Sequence, residues 1–167
     1  FYSHAYKYLG LPLNLIGNSI GQVYVQGLSE CKEDLVKSRR LFMTTVRNLS
    51  FVALLIFIPG YFMMEPLYEF IFGSEWRIAG YYAKLLIPVF FFRLLTNPMS
   101  FTATVYEEQK KALIIHLLIF SCVVVNFLVA FSYEMDVSRF IKNFSLSMSL
   151  VYLCALGFYY RMIPHNS

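Results

Sequence analysis

A long apolar stretch that is interrupted by a few charged, amide and proline residues constrains this sequence most. It runs from Phe72 to Ser100 and opens with a short charged loop that holds the only tryptophan of the chain. The run is longer than a core helix needs, and a plain membrane anchor would not carry an arginine near its middle. The pattern therefore predicts a broken transmembrane helix with a functional role. The interrupting residues are Lys84, Pro88, Arg93, Asn97 and Pro98.

Composition places the whole chain in a membrane. Apolar residues make up 58% of the 167 residues and charged residues only 14%, whereas soluble domains are nearer a quarter charged. Since one spanning helix needs about 20 apolar residues, we predict an all-α integral membrane protein with about five transmembrane helices. The predicted spans cover residues 8–28, 41–64, 78–105, 112–133 and 144–160.

The first predicted span is unusually polar. Four amides recur every fourth residue: Asn14, Asn18, Gln22 and Gln26. This spacing places them in one slowly drifting stripe along a helix, and Gly17 and Gly21 add a G-x-x-x-G pattern. Two interpretations stay open. The amides either form hydrogen bonds to a neighbouring helix or line a hydrated cavity.

Arg93 is predicted to lie near the centre of the membrane. An arginine there costs about 2.5–3.5 kcal/mol on insertion scales, so it should face the bundle interior or a wet cavity. A guanidinium suits a phosphate group, although an internal partner that fixes the bundle is the alternative. No acidic residue is predicted deep in another span. Lys84 lies nearer an interface and can extend its ammonium toward water.

Three prolines are predicted to bend helices and to act as hinges, because each removes a backbone donor. They are Pro59, Pro88 and Pro98. In the second half of the chain, we expect Asn126 to form an interhelical hydrogen bond and His116 to be a hydrogen-bonded structural residue.

The charged connectors set the predicted topology. Residues 30–48 carry an excess of Lys and Arg and are predicted to be cytoplasmic, as is the C-terminus. We interpret this basic connector as solvated, with an interfacial helix, in preference to a binding site for lipid phosphates. Glu65 and Glu69 are interpreted as solvated residues of an outer connector, and residues 66–72 as a short re-entrant or surface-lying turn. The net charge of +4 indicates topology and not a nucleic-acid partner.

No spacing of the three cysteines indicates a metal or redox site, and no cofactor-binding or catalytic motif is present. We therefore expect no metal, no cofactor and no enzymatic activity. An integral-membrane enzyme that acts on lipid-linked substrates is kept as an alternative, although it would need acidic or histidine groups clustered at a membrane face.

Two segments carry a resemblance to a known family. The motif FG-x-x-W-x-x-AG-x-Y, followed by L-x-P, an arginine and NP-x-S, lies within Phe72 to Ser100. Together with LPLNLIGNSIGQVYVQGLS at Leu11 to Ser29, it resembles the Wzx-type polysaccharide flippases of bacterial envelopes. The resemblance implies a multi-pass protein of the bacterial inner membrane with two six-helix lobes around a central cavity. This chain would be a C-terminal fragment, part of the C-terminal lobe, with the N-terminal lobe as its partner.

The resemblance also implies a cargo, an oligosaccharide of O-antigen or capsule that is linked to undecaprenyl pyrophosphate and flipped by alternating access. Arg93, and with it Lys84, would attract the pyrophosphate, while Asn97 and the four amides of the first span would face the glycan. Membrane lipid would surround the lobe. The alternative within the same superfamily is a multidrug or small-cation antiporter, which typically needs an acidic residue inside the membrane.

Overall fold

The computed structural model describes residues 17–164, and within that range every regular element is a helix. Residues 17–30 form α1. The elements that follow are α2 (Leu35–Phe72), a 3-10 turn (Ser74–Trp76), α3 (Arg77–Met99), α4 (Thr102–Val105), α5 (Gln109–Ser132) and α6 (Val137–Met162). Four stretches of the described chain are long and apolar enough to cross a membrane: α2, residues 74–105, α5 and α6. The prediction of an all-α integral membrane protein is confirmed.

Helix α2 is much longer than predicted. It is one helix of 38 residues, whereas the sequence predicted a span over 41–64 between a basic connector and a surface turn. The prediction of a turn at residues 66–72 is wrong, because the helix continues through Pro66. A proline removes one backbone hydrogen bond, and neighbouring α3 packs directly on the backbone beside it. A methyl group at Gly80 would lie 2.7 Å from the Met64 carbonyl oxygen.

Helix α3 ends sooner than its predicted span of 78–105. It stops at Met99, and a turn at Ser100 and Phe101 leads into the single turn of α4. Pro98 lies in the last turn of α3, and the Ser100 N–H donates to the Thr96 carbonyl at 3.0 Å. Helices α5 and α6 both begin earlier than the predicted spans of 112–133 and 144–160.

Helix α3 lies at the centre of the described bundle. It packs against α2 on one side and α6 on the other. One core cluster joins Ala53 and Phe57 of α2 to Phe90 and Leu94 of α3 and to Met148 of α6. A second cluster, nearer the N-terminal end of α2, gathers the residues Tyr24, Leu28, Phe42, Met99 and Tyr159. The described chain thus packs around α3.

Helix α5 is peripheral and packs mainly against α6. The Ser147 hydroxyl of α6 donates to Asn126 Oδ1 at 3.0 Å, which confirms the predicted interhelical bond. His116 Nδ1 lies 2.8 Å from the Ala112 carbonyl oxygen, one turn earlier on the same helix. This contact is the structural hydrogen bond that the sequence suggested for His116.

Candidate functional site

Helix α1 packs on α3 through its small residues. A methyl group at Gly17 would lie 4.0 Å from Asn97 Cβ, and one at Gly21 would lie 2.6 Å from the Phe101 ring. One turn later the Tyr24 hydroxyl and Thr102 Oγ1 form a buried hydrogen bond of 2.8 Å. The G-x-x-x-G pattern therefore serves helix packing, because glycine lets α1 approach the turn that follows α3.

The amides of α1 do not take part in that packing. Asn18, Gln22 and Gln26 are all exposed. Gln26 Nε2 donates to Glu30 Oε1 at 3.3 Å, along the same helix. Asn14, the first member of the predicted stripe, lies outside the described residues. The described helices bury Gly17 and Gly21 and leave these three amides exposed. Within residues 17–164, no neighbouring helix therefore covers the amide row.

A second row of polar residues runs down α3. It consists of Arg93, Asn97, Ser100 and Thr104, at successive spacings of four, three and four. On a continuous helix these spacings place all four side chains on one face. Arg93 and Asn97 belong to α3, whereas Ser100 and Thr104 belong to the turn and α4 that follow it. Arg93, Asn97 and Ser100 are half-buried and Thr104 is exposed, while the Ser100 hydroxyl donates to the Asn97 carbonyl at 2.6 Å. Neither Ser100 nor Thr104 was predicted as a site residue from the sequence, although their spacing from Arg93 indicates the same helical face.

The two polar rows lie on helices that pack against each other, since Gly17 of α1 lies beside Asn97 and Leu94 of α3. Each residue turns a helix by about 100°, so the neighbours of a contact residue lie on opposite flanks. On α1, Gly17 faces α3. Gly27 lies on one flank of α1 and faces Leu41 of α2. The 100° step places Asn18 on the other flank of α1. We call these seven residues the polar face: Asn18, Gln22, Gln26, Arg93, Asn97, Ser100 and Thr104.

A buried threonine holds α3 in place next to Arg93. Thr96 Oγ1 lies 2.8 Å from the Phe92 carbonyl oxygen and 3.1 Å from the Tyr152 carbonyl oxygen of α6, and the residue is 3% exposed. The contact links α3 to α6 within one helical turn of Arg93. No signal in the sequence distinguished Thr96 from other threonines in apolar segments.

Lys84 lies apart from the polar face. Its ammonium is 3.1 Å from Glu65 Oε1 and 4.8 Å from the centre of the Tyr61 ring. On a helical rise of 1.5 Å per residue, it is about 13 Å along α3 from Arg93. Whether Lys84 also meets a substrate stays a prediction, but within this chain its charge is matched by a carboxylate.

The ion pairs at this end of the bundle correct the interpretation of Glu65 and Glu69. Both residues belong to α2 and not to a solvated connector. Arg77 lies 3.9 Å from Glu65 and 3.6 Å from Glu69, so the two carboxylates face the start of α3. The side chains of Glu65 and Lys84 are each only 26% exposed. These ion pairs link α2 to α3 beside Gly80.

The prolines that were predicted as hinges all lie inside helices. Pro59 is within α2, and Pro88 and Pro98 are within α3. Both helices are continuous through these positions, so a hinge function stays a prediction. Among residues 17–164, no group of three or more His, Cys, Asp or Glu residues is placed to hold a metal ion.

At the opposite end of the bundle, Asp34 caps α2. Its side chain accepts a hydrogen bond from the Lys37 backbone N–H at 3.0 Å. It also forms an ion pair with the Lys37 ammonium at 3.0 Å. These donors favour the charged carboxylate and hold the pKa of Asp34 below its ordinary value. The cap fixes where α2 begins, at the edge of the predicted basic connector.

Comparison with known proteins adds one finding about the family. Residues 1–79 match the family described as "Polysaccharide biosynthesis protein". No curated protein and no solved structure matches the chain. The matched part includes α1, all of α2 and the first residues of α3, and it therefore contains the amide row but not Arg93. The match covers less than half of the 167 residues, and it shows that this part of the chain is similar to that family.

Proposed function

We propose that this chain is part of the C-terminal lobe of a Wzx-type flippase. The cargo is an undecaprenyl-pyrophosphate-linked oligosaccharide, a repeat unit of O-antigen or capsule, and it crosses the bacterial inner membrane by alternating access. The observation that carries the proposal is the polar face, a half-buried arginine and a row of uncovered amides on apolar helices. The family match over residues 1–79 supports the link to polysaccharide.

The chemistry of the polar face suits such a cargo. Arg93 presents a planar guanidinium that can donate two parallel hydrogen bonds to a phosphate. Asn18 and Gln22 present amides that both donate and accept, as sugar hydroxyls do. A polar surface at membrane depth is costly against lipid. This cost favours a hydrated cavity, closed on its other side by the N-terminal lobe.

The proposed orientation follows the distribution of charge. Within residues 17–164, eight Lys and Arg residues flank the helices at the end where α2 begins, and three flank them at the other end. The positive-inside rule assigns the first end, with the C-terminus of α6, to the cytoplasm. The polar face lies on the half of α3 nearer that end, where a cargo made in the cytoplasm would enter.

One observation favours the antiporter alternative. Glu65 is a half-buried carboxylate inside a membrane-spanning helix, and the sequence alone had not placed an acid there. Its charge is nevertheless balanced by Lys84 and by Arg77, at 3.1 and 3.9 Å. A carboxylate that is already paired with two cations is a weaker site for a coupling cation or cationic drug than an uncompensated one.

The proposal is tested in the full-length protein with Arg93→Ala and Arg93→Lys, in a strain that lacks its own flippase. We expect Arg93→Ala to reduce surface polysaccharide at least about tenfold, as expected for the loss of one charge-assisted phosphate contact. Arg93→Lys should restore part of the signal, since it keeps the charge but loses the fork. Lys142→Gln, at an exposed position on α6, is the control and should be normal.

The amount of protein in the membrane is measured in parallel, so that a folding defect is not mistaken for a transport defect. Normal polysaccharide with Arg93→Ala at normal protein level would refute the role of Arg93 and with it this mechanism. Resistance to cationic drugs that is lost with Glu65→Gln, while polysaccharide stays normal, would support the antiporter instead.

A further inference from the structure

The outward surface of α2 has a pattern that the polar face does not explain. One exposed row runs along this helix at spacings of three and four residues. It begins with Val36, Arg40, Met43 and Arg47 and continues with Phe51, Leu54, Ile58 and Phe62. We call this row the outer face of α2. The buried residues of α2, such as Leu49 and Ala53, lie on another side of the helix. The apolar part of the row borders a groove against α3, in which Leu54, Ile58 and Phe62 lie beside Pro88 and Phe91.

The charge on this outer face has one sign. Arg40 and Arg47 are exposed, and α2 contains no acidic residue before Glu65. The nearest described acidic neighbour along the chain, Asp34, is engaged by Lys37 at 3.0 Å. Two arginines without a nearby carboxylate therefore border a continuous apolar strip. Along α2, the outer face therefore begins with a basic part around Arg40 and Arg47 and continues with an apolar part from Phe51 to Phe62.

The direction of the side chains sharpens this arrangement. Side chains on a helix lean toward its N-terminus, so Arg47 extends from the apolar strip toward Arg40. The two Cα positions are about 10 Å apart along the helix, at 1.5 Å per residue. Phe51 lies one turn beyond Arg47 and begins the apolar strip. A lipid aligned with this row would have its phosphate near the guanidinium groups and its chains along Leu54 and Ile58.

We propose that the outer face of α2 is a binding site for an anionic glycerophospholipid, such as phosphatidylglycerol. Arg40 and Arg47 bind the headgroup phosphate, and the strip from Phe51 to Phe62 contacts the acyl chains. Charge complementarity selects an anionic lipid over a zwitterionic one. The site is separate from the polar face, since the polar face has no residue on α2. It does not depend on the proposed transport function.

The test uses the full-length protein reconstituted in nanodiscs of phosphatidylcholine, to which phosphatidylglycerol, a polyisoprenyl pyrophosphate or both are added. Retained lipids are counted by native mass spectrometry. The variant is the pair Arg40→Gln and Arg47→Gln. The control is the pair Arg139→Gln and Lys142→Gln, which removes the same charge from exposed positions at the other end of the bundle.

We expect the wild type and the control pair to retain phosphatidylglycerol in preference to phosphatidylcholine. The double substitution Arg40→Gln and Arg47→Gln should lower the affinity for phosphatidylglycerol on the order of tenfold, because each cation near an anionic surface contributes favourably to binding. High salt should weaken retention in the wild type and much less in this variant.

Three results would overturn the proposal. The first is equal retention of phosphatidylglycerol by the wild type and the Arg40 and Arg47 variant. The second is no preference of the wild type for the anionic lipid. The third is retention of a polyisoprenyl pyrophosphate at this site in place of a glycerophospholipid. A normal melting temperature of the variant in detergent establishes that it is folded.

Discussion

Helices α3 and α5 have nearly the same length, 23 and 24 residues, and both belong to stretches that are apolar enough to cross a membrane, yet one is buried and the other is exposed. Helix α3 buries twelve of its residues, from Ala79 to Met99, between α2 and α6. Helix α5 buries only Ile115, and large apolar side chains such as Leu117 and Phe131 are exposed on its surface. Apolarity alone therefore places a helix in the membrane without saying where in the bundle it lies.

The difference lies in the residues that interrupt the apolar run. Along α3 the small residues Ala79, Gly80 and Ala83 allow α2 to approach closely, and Thr96 bonds to α6. Helix α5 has one comparable link, the bond between Asn126 and Ser147. Lipid chains are as apolar as leucine side chains, so the close packing and hydrogen bonds, and not the hydrophobic effect, hold a central helix.

The largest effect on stability is expected from Gly80→Val. The new side chain would begin 2.7 Å from the Met64 carbonyl oxygen and 2.8 Å from Glu65 Cα, and backbone atoms cannot move aside as a side chain does. We expect a loss of about 3 kcal/mol, measured as thermal unfolding in detergent. Gly157→Val on α6 is the control, because nothing lies within 4 Å of its Cβ position. Equal melting temperatures for the two variants would contradict the close approach of α2 and α3.

A second comparison sets Leu94→Ala on α3 against Leu117→Ala on α5. Leu94 is 2% exposed, whereas Leu117 is 54% exposed. The first change leaves a cavity and should cost about 2 kcal/mol, near the low end for buried leucine because no transfer from water is involved. The second exchanges one lipid-facing side chain for a smaller one and should cost much less. If the two variants unfold at the same temperature, α3 is not the central helix.

The smallest effect is expected from Thr96→Val, which removes the hydroxyl that reaches the Tyr152 carbonyl at 3.1 Å. The loss should be about 1 kcal/mol, as for hydrogen bonds between membrane helices. Ser121→Ala, at an exposed position of α5, is the matched loss of a hydroxyl and should be silent. A silent Thr96→Val would show that this bond does not stabilise the contact of α3 with α6.

Much of the fold could be predicted from the sequence. Long apolar runs separated by charged residues predicted an all-α membrane protein, because no soluble fold uses such runs. The ends of α2 were missed, since a proline such as Pro66 normally suggests a helix boundary. The continuation of α2 through Pro66 depends on the neighbouring helix, because Gly80 of α3 packs on the α2 backbone beside Pro66. No local sequence pattern relates Gly80 to Pro66.

The candidate site was predictable in part. Arg93 and the amide row stand out because polar residues in apolar runs are costly and seldom accidental. The ion pair of Lys84 with Glu65 was missed, because it joins two helices that a loop separates and depends on how they are rotated. The same holds for Thr96, whose partner is a backbone carbonyl that no side-chain pattern reveals.

The contact of Arg39 with the end of α6 has a consequence for how the protein is made. Arg39 Nη2 donates to the carbonyls of Ile163 and Pro164, which lie 124 and 125 residues later in the chain. During synthesis this arginine leaves the ribosome long before its acceptors exist. The contact closes only after α3, α5 and α6 have all been inserted with the correct orientation. It therefore forms only once α6 is in place, and a chain in which α6 fails to insert leaves the arginine without these acceptors.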